Sequence, residues 1–123
     1  MKPEVKKSWV EALRSGEYGQ GKNLLKDETD TGNPQYCCLG VLCEIVPPSV
    51  GQFNRDNDGV FSWEDSVARG LSHSRVTLSD GVVAWAGLPL EVRGRPVLGT
   101  LMGMNDCELR SFDEIADWIE ENL

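Results

Sequence analysis

One apolar stretch decides the fold of this chain: Cys38-Leu39-Gly40-Val41-Leu42-Cys43-Glu44-Ile45-Val46, followed by Pro47-Pro48. It contains a single charged residue, Glu44. Because apolar side chains would surround such a helix on all sides, the pattern predicts a buried helix over residues 38–46. The two prolines that follow end it.

Two further helices are predicted from their spacing and their end signals. Over residues 3–15, Val5, Trp9 and Leu13 repeat every fourth position and form one apolar stripe, and Gly16 follows the last turn. Over residues 79–86, Ser79 is a good N-cap and Gly87 a good stop.

The last helix is indicated most clearly. Ser111 and Glu114 have the spacing of a capping box, and acidic side chains follow along the outer face. Glu120 and Glu121 would stand at the negative end of this helix dipole, which is unfavourable. The N-terminal lysines would stand at the positive end of the first helix, which is also unfavourable. Either the two helices lie close and neutralise each other, or the charges are simply solvated.

The remaining segments predict smaller elements. Residues 23–26 and 35–37 are expected to pair as a β-hairpin across a polar turn. Residues 49–74 are expected to be mostly loop with a short strand at 59–63, residues 88–97 irregular, and residues 98–104 helical. We therefore expect an α+β fold, with residues 1–123 forming one compact domain that has a short β-hairpin or small antiparallel sheet and four to five helices.

Charge and composition narrow the classes of function. The net charge is −8 over 123 residues, a field that repels nucleic acid and anionic lipid at long range, although a local pocket can still be positive. No apolar run approaches the roughly 18 residues of a membrane span. We expect a protein of the host-cell cytoplasm, without cofactor or metal, whose four cysteines stay reduced.

Several segments together resemble a family of small phage and prophage proteins of unassigned activity. They are residues 9–21, Tyr36-Cys37-Cys38-Leu39-Gly40-Val41-Leu42-Cys43, residues 83–88, Met104-Asn105-Asp106, and residues 111–117. The resemblance implies a phage setting and no particular reaction. Small acidic phage proteins are often inhibitors of host processes, and one class sequesters nucleotide-derived immune signals without cleaving them.

A ligand pocket is predicted around the loop after the first helix. Arg14, Tyr18, Gln20 and Lys22 stand close together among three glycines, where arginine can bind phosphate, tyrosine can stack and backbone amides can approach an anion. The alternative is a helix end followed by a tight turn. Asn105-Asp106 could contact the same ligand, or could shape a turn before the last helix.

A cysteine nucleophile is the second candidate. Cys37 or Cys38 would stand where a strand becomes a helix, and a helix N-terminus favours the thiolate. The order Cys38, His73, Asn105 matches that of papain-like hydrolases. The alternative is that these cysteines are small core residues.

Calcium is the third candidate. Residues 54–65 place oxygen-bearing side chains and Gly59 much as an EF-hand loop does, although Asn54 and Asp65 are poor first and last ligands. A plain polar loop is the alternative. Trp63 lies in this region, and we expect it to be the most exposed of the four tryptophans.

The sequence therefore favours a non-enzymatic, phage-encoded antagonist of host defence. It would bind a small nucleotide-like signal through Arg14, Tyr18, Gln20, Lys22, Asn105 and Asp106, in a homo-oligomer. The alternatives are an inhibitor that binds a host protein through the acidic last helix, and a hydrolase dependent on Cys38 and His73.

Overall fold

The predicted buried helix is present as α2, Cys38–Ile45. The structure is a computed structural model that describes residues 1–66 and 73–123, with only the backbone of His73. Every residue of α2 from Cys38 to Cys43 is buried. The helix ends at Ile45, and the next residue, Val46, is extended as expected before Pro47.

The first and last helices pack against each other, and the first also packs against α2. They are α1, Pro3–Arg14, and α5, Phe112–Asn122, which begins with the predicted capping box. The Trp9 indole on α1 donates to the carbonyl oxygen of Cys38 at 3.0 Å. Lys6 Nζ donates to the carbonyl oxygen of Glu120 at 2.9 Å, so the interpretation that these helices lie close is confirmed.

Two shorter helices complete the helical part. In α3, Asp80–Ala86, the Ser79 hydroxyl accepts the amide of Val82, and Gly87 follows with φ 66°. The helix predicted at residues 98–104 is longer and forms α4, Val97–Asp106. Asn105 and Asp106 therefore belong to its last turn, and the interpretation that they shape a turn before α5 is wrong.

The first sheet has the strand order β1-β3-β2. The predicted hairpin is formed by β2, Lys26–Glu28, and β3, Pro34–Tyr36, with β2 beginning later than expected. Asn23 has φ 67°, which interrupts an extended chain there. A short parallel strand, β1 at Gly19–Gln20, joins β3 from the other side, which the sequence did not predict.

The second sheet contains β4, Gly51–Arg55, β5, Phe61–Asp65, and β6, His73–Ser74, in that order. Trp63 on β5 is only 1% exposed, and the expectation of an exposed tryptophan is wrong. Its indole donates to Asp65 Oδ1 at 2.9 Å, and Asp65 also accepts from the Ser79 hydroxyl at 2.6 Å. This buried carboxylate joins the second sheet to α3.

The third sheet lies in the segment predicted to be irregular. It consists of two short antiparallel strands, β7 at Glu91–Val92 and β8 at Arg95–Pro96. With these elements, the described residues comprise five helices and three small sheets around one hydrophobic core. The chain is thus an α+β protein, and no helix in its described part has the length and apolar character to cross a membrane.

Candidate functional site

Part of the predicted ligand pocket comes together in space. Gln20, Lys22 and Asn105 line a cleft of about 240 Å³, with Gly21 and Leu109 at its other sides. Leu109 is 60% exposed and has φ 54°, which is strained for a leucine. The tertiary structure therefore places β1 beside the end of α4.

The Asn105 amide is nevertheless fully used within the protein. Its Oδ1 accepts from Gln20 Nε2 at 3.0 Å and from the amide of Cys38 at 3.2 Å. Its Nδ2 donates to the Gly21 carbonyl at 2.9 Å and to Asp106 Oδ1 at 2.8 Å. An amide side chain has two donors and one oxygen acceptor with two lone pairs, so Asn105 has no hydrogen bond left for a ligand. Its prediction as a ligand residue is corrected to a structural role.

Gln20 and Asp106, which contact Asn105, belong to the same hydrogen-bonded joint between β1 and the end of α4. Asp106 Oδ1 accepts the amide of Asn23 at 3.0 Å, and Gln20 Nε2 also donates to the Arg110 carbonyl at 2.7 Å. In this cleft Lys22 is the one predicted residue that the joint does not use.

Arg14 and Tyr18 lie elsewhere, so the predicted residues do not form one pocket. The Arg14 guanidinium pairs with Asp117 and Glu120 on α5, and these two carboxylates raise its pKa. It lines a separate groove between α1 and α5. Tyr18 packs edge-on against Tyr36, with ring centroids 5.4 Å apart.

The nucleophile interpretation is wrong for Cys38. Its side chain is 0% exposed, and its thiol points to the Leu101 carbonyl, 3.6 Å away. Burial raises the pKa of the Cys38 thiol well above its usual range, because a thiolate there would lose its hydration. Cys37 is 3% exposed and burial raises its pKa as well, while the side chain of His73 lies outside the described residues.

The interpretation of residues 54–65 as an EF-hand loop is also wrong. Residues 54–65 form the β4–β5 hairpin, with Asn54 opposite Ser62, rather than a loop between two helices. The Asp56 carboxylate shapes the turn by accepting the amides of Asp58 and Val60, both at 2.9 Å. Within the described part of the chain, no group of three or more His, Cys, Asp and Glu side chains could hold a metal ion.

A three-ring aromatic cage forms where the first two sheets meet, and a lysine of the chain fills it. Lys26 Nζ lies 4.7 Å from the ring centroid of Phe61, 5.3 Å from that of Phe53 and 5.5 Å from that of Tyr36. It also lies 3.5 Å from a carboxylate oxygen of Glu44. This cage is occupied from within, and we assign it to the packing of the two sheets.

The best-equipped open site is a cleft beside the third sheet, which the sequence analysis did not identify. The β7–β8 turn is Arg93-Gly94, with φ 53° and 75°. Positive φ at both positions is typical of a tight hairpin turn, where Asn-Gly is usual and arginine is not. A left-handed non-glycine residue costs about 1–2 kcal/mol, and such strain often marks a functional position.

This arginine cleft has a volume of about 400 Å³ and is lined by Val92, Arg93, Arg95, Thr100, Trp118 and Asn122. The described residues that line it supply two guanidinium groups and no side-chain carboxylate. Among the described arginines, Arg14, Arg55, Arg75 and Arg110 each pair with a carboxylate. Neither Arg93 nor Arg95 has such a partner in the described residues, so both retain donors for an external anion.

The other lining residues offer a stacking surface and acceptors. Trp118 is partly buried and packs on the core. Thr100 Oγ1 donates to the Pro96 carbonyl at 2.7 Å, and Asn122 Nδ2 donates to the Trp118 carbonyl at 2.8 Å. The Thr100 oxygen and Asn122 Oδ1 remain as acceptors, so the cleft suits a ligand with an anionic group, a flat ring and hydrogen-bond donors.

Comparison with known proteins identifies the family. A family model described as a domain of unknown function, DUF8296, matches residues 1–123. The chain belongs to the DUF8296 family. No curated protein and no solved structure matches it.

In this DUF8296 chain, one local signal could have indicated the arginine cleft. Val92-Arg93-Gly94-Arg95 contains a glycine flanked by arginines, which is compatible with a tight hairpin turn. Sequence spacing gives no indication that Trp118, on a distant helix, would lie beside that turn.

Proposed function

We propose that this protein is a non-enzymatic binding protein that captures a small nucleotide-derived anion in the arginine cleft and leaves it intact. In the phage setting that the sequence resemblance implies, it would antagonise a host defence that signals through such molecules. The observation that carries the proposal is that Arg93 and Arg95 have no carboxylate partner among the described residues and share a cleft with Trp118.

The charge distribution supports a small ligand over a polymer. The chain has a net charge of −8, so a long polyanion would be repelled by most of the surface. A small anion needs to contact only Arg93 and Arg95 in the cleft. The cleft volume of about 400 Å³ also falls within the roughly 300–1,000 Å³ typical of small-molecule sites.

Sequestration requires donors that hold the ligand and a surface that excludes water from part of it. Arginine binds phosphate oxygens in a bidentate manner that lysine cannot match. The cleft supplies two such groups, and no side-chain carboxylate from the described part of the chain lines it to compete for them. Tight binding through these contacts needs no bond to form or break.

The test is a thermal-shift and calorimetric screen of the full chain against nucleoside monophosphates, cyclic mononucleotides, cyclic dinucleotides and ADP-ribose. A ligand at one hundred times its dissociation constant should stabilise the fold by about 2.7 kcal/mol. Heat denaturation followed by mass analysis should return that ligand intact. Arg95→Gln should remove the stabilisation, whereas Arg110→Gln, which removes an equal charge from an exposed pair with Glu108, should keep it.

Two results would overturn the proposal. Recovery of the ligand as fragments would make the protein an enzyme. Absence of a shift with every probe would reject capture of these molecules and favour an inhibitor that acts through the acidic face of α5. Light scattering of the free and ligand-bound protein would test the predicted homo-oligomer in the same samples.

A further inference from the structure

We infer that the arginine cleft holds one nucleotide unit per chain, with the base stacked on the Trp118 ring and the phosphate held between Arg93 and Arg95. This inference rests on the proposed function and adds the part of the ligand that each residue recognises. It follows from the position of each lining group, taken in turn.

The aromatic contact comes from α5. Ile115 and Ile119 of this helix are 0% exposed, whereas Trp118 is only partly buried and lines the cleft. The ring is thus supported by the core on one side and reachable from the cleft. A supported, partly exposed indole is the usual platform for a nucleobase, and it accepts every base because each has a π-face.

The phosphate contact comes from the hairpin. Arg95 stands opposite Val92 in the β7–β8 pair, so the two side chains share one face of the hairpin. Val92 packs against the core, which orients that face toward the cleft. Arg93 adds a second guanidinium from the strained turn position, and two arginines can hold several oxygens of one phosphate.

The acceptors select against a bare anion. Thr100 has spent its hydroxyl donor on the Pro96 carbonyl, and Asn122 has spent one of its two amide donors on the Trp118 carbonyl. The oxygens that remain can only accept, so a ligand satisfies them by donating from hydroxyl or amino groups. A ribose or a base carries such donors, and inorganic phosphate at neutral pH has few to offer in addition to its contacts with the arginines.

The size of the cleft sets the number of units. A volume of about 400 Å³ lies near the lower end of the roughly 300–1,000 Å³ of small-molecule sites. One chain therefore accommodates a single nucleotide unit, and a cyclic dinucleotide would need one cleft from each of two chains.

The experiment is isothermal titration calorimetry of the full chain with four probes. AMP and UMP carry a base, a ribose and a phosphate, ribose 5-phosphate lacks the base, and inorganic phosphate lacks both base and ribose. Both nucleotides should bind at one per chain and about tenfold or more tightly than ribose 5-phosphate, because only they can stack. Trp118→Leu should remove this difference and leave ribose 5-phosphate binding unchanged. Trp118→Phe should largely keep it.

Controls separate stacking from folding. Trp85→Leu changes another partly buried tryptophan that packs on the core but is not in the cleft lining, and it should leave AMP affinity unchanged. Circular dichroism checks whether Trp118→Leu folds. If it does not, Trp118→Phe is compared with the double variant Arg93→Gln/Arg95→Gln instead. Only the double variant should abolish AMP binding.

The outcomes distinguish failure of this inference from failure of the proposed function. Equal affinity for AMP, ribose 5-phosphate and phosphate would overturn stacking on Trp118 and leave an anion-binding protein. A stoichiometry of one AMP per two chains would overturn the single-unit assignment. Absence of binding by all four probes, together with a negative screen of the larger signals, would overturn both proposals.

Discussion

The side-chain oxygen of Asn105 accepts the backbone amide of Cys38 at 3.2 Å, across 67 positions of sequence. The amides of a helix's first turn have no partner within the helix, and Cys38 begins α2. Asn105, in the last turn of α4, therefore caps α2 from another element. Cys38 and Asn105, which the sequence analysis considered together for cysteine chemistry, instead meet in a structural hydrogen bond.

Asn105→Ala should lower the free energy of unfolding by about 2–4 kcal/mol, because it leaves several hydrogen-bonding groups unpaired in a site where the side chain is 1% exposed. Urea denaturation followed by tryptophan fluorescence would measure the change. Asn57→Ala, in an exposed turn, is the control and should change stability by less than about 0.5 kcal/mol. Similar values for the two variants would contradict the assigned role.

Gly40→Ala should prevent α2 from packing on the chain at Leu25. A Cβ at position 40 would lie 1.7 Å from the Leu25 carbonyl oxygen, and that backbone is itself held in place. We expect a loss of more than about 3 kcal/mol, or failure to fold. Gly103→Ala in α4 has nothing within 4 Å of the new Cβ and should be neutral or stabilise by up to about 1 kcal/mol. The same denaturation assay compares them, and a well-folded Gly40→Ala protein would refute the close contact.

Thiol labelling should distinguish the four cysteines. Cys107 is exposed, whereas Cys37, Cys38 and Cys43 are buried, and burial raises the pKa of all three thiols. Ellman's reagent should therefore label one thiol per native chain and all four after denaturation. Cys107→Ser should remove the native signal. Rapid labelling of the native Cys107→Ser protein would restore a reactive-cysteine hypothesis.

The two tyrosines should titrate only at strongly alkaline pH. Burial, followed by the negative charge of Glu44, raises the pKa of both Tyr18 and Tyr36 above the usual 10.0. Because the raised pKa belongs to the folded state, the resulting stability is complete below pH 10 and is lost as the pH rises through the folded-state pKa. Absorbance at 295 nm should show little ionisation at pH 10 in the native protein and normal titration in urea. Half-ionisation of the native protein at pH 10 would contradict the burial of these rings.

The elements predicted correctly are those whose signals are local. The capping box at Ser111 and Glu114 sets the start of α5, and Ser79 with Gly87 bounds α3. These hydrogen bonds and dihedral angles involve residues a few positions apart, so adjacent sequence is enough to indicate them. The composition of α2 likewise shows that it is buried, since a helix apolar on all sides has no face to expose.

The candidate site depended on partners far along the chain. Arg14 looked available for a ligand until α5 placed Asp117 and Glu120 beside it, and Asn105 looked suitable until its amide was used by β1 and α2. Trp63 was expected at the surface because its segment is polar, yet Asp65 supplies a buried acceptor for its indole. The contacts of Arg14 and Asn105 join residues far apart in sequence. The burial of Trp63 depends on how its sheet packs, so spacing along the chain does not indicate it.

Local sequence thus settled where most of the helices lie, the presence of the first hairpin and the α+β class, because caps, turns and apolar spacing act over a few residues. The three-dimensional packing alone decided which polar groups are satisfied within the protein and which remain free to bind. In the packed structure Arg14 forms an ion pair with Asp117, and the side chain of Cys38 is buried. The Asn105 amide is fully hydrogen-bonded within the protein, whereas Arg93 and Arg95 lie in the same cleft as Trp118. The reason is that hydrogen bonding and desolvation depend on neighbours in space, which a linear spacing does not specify.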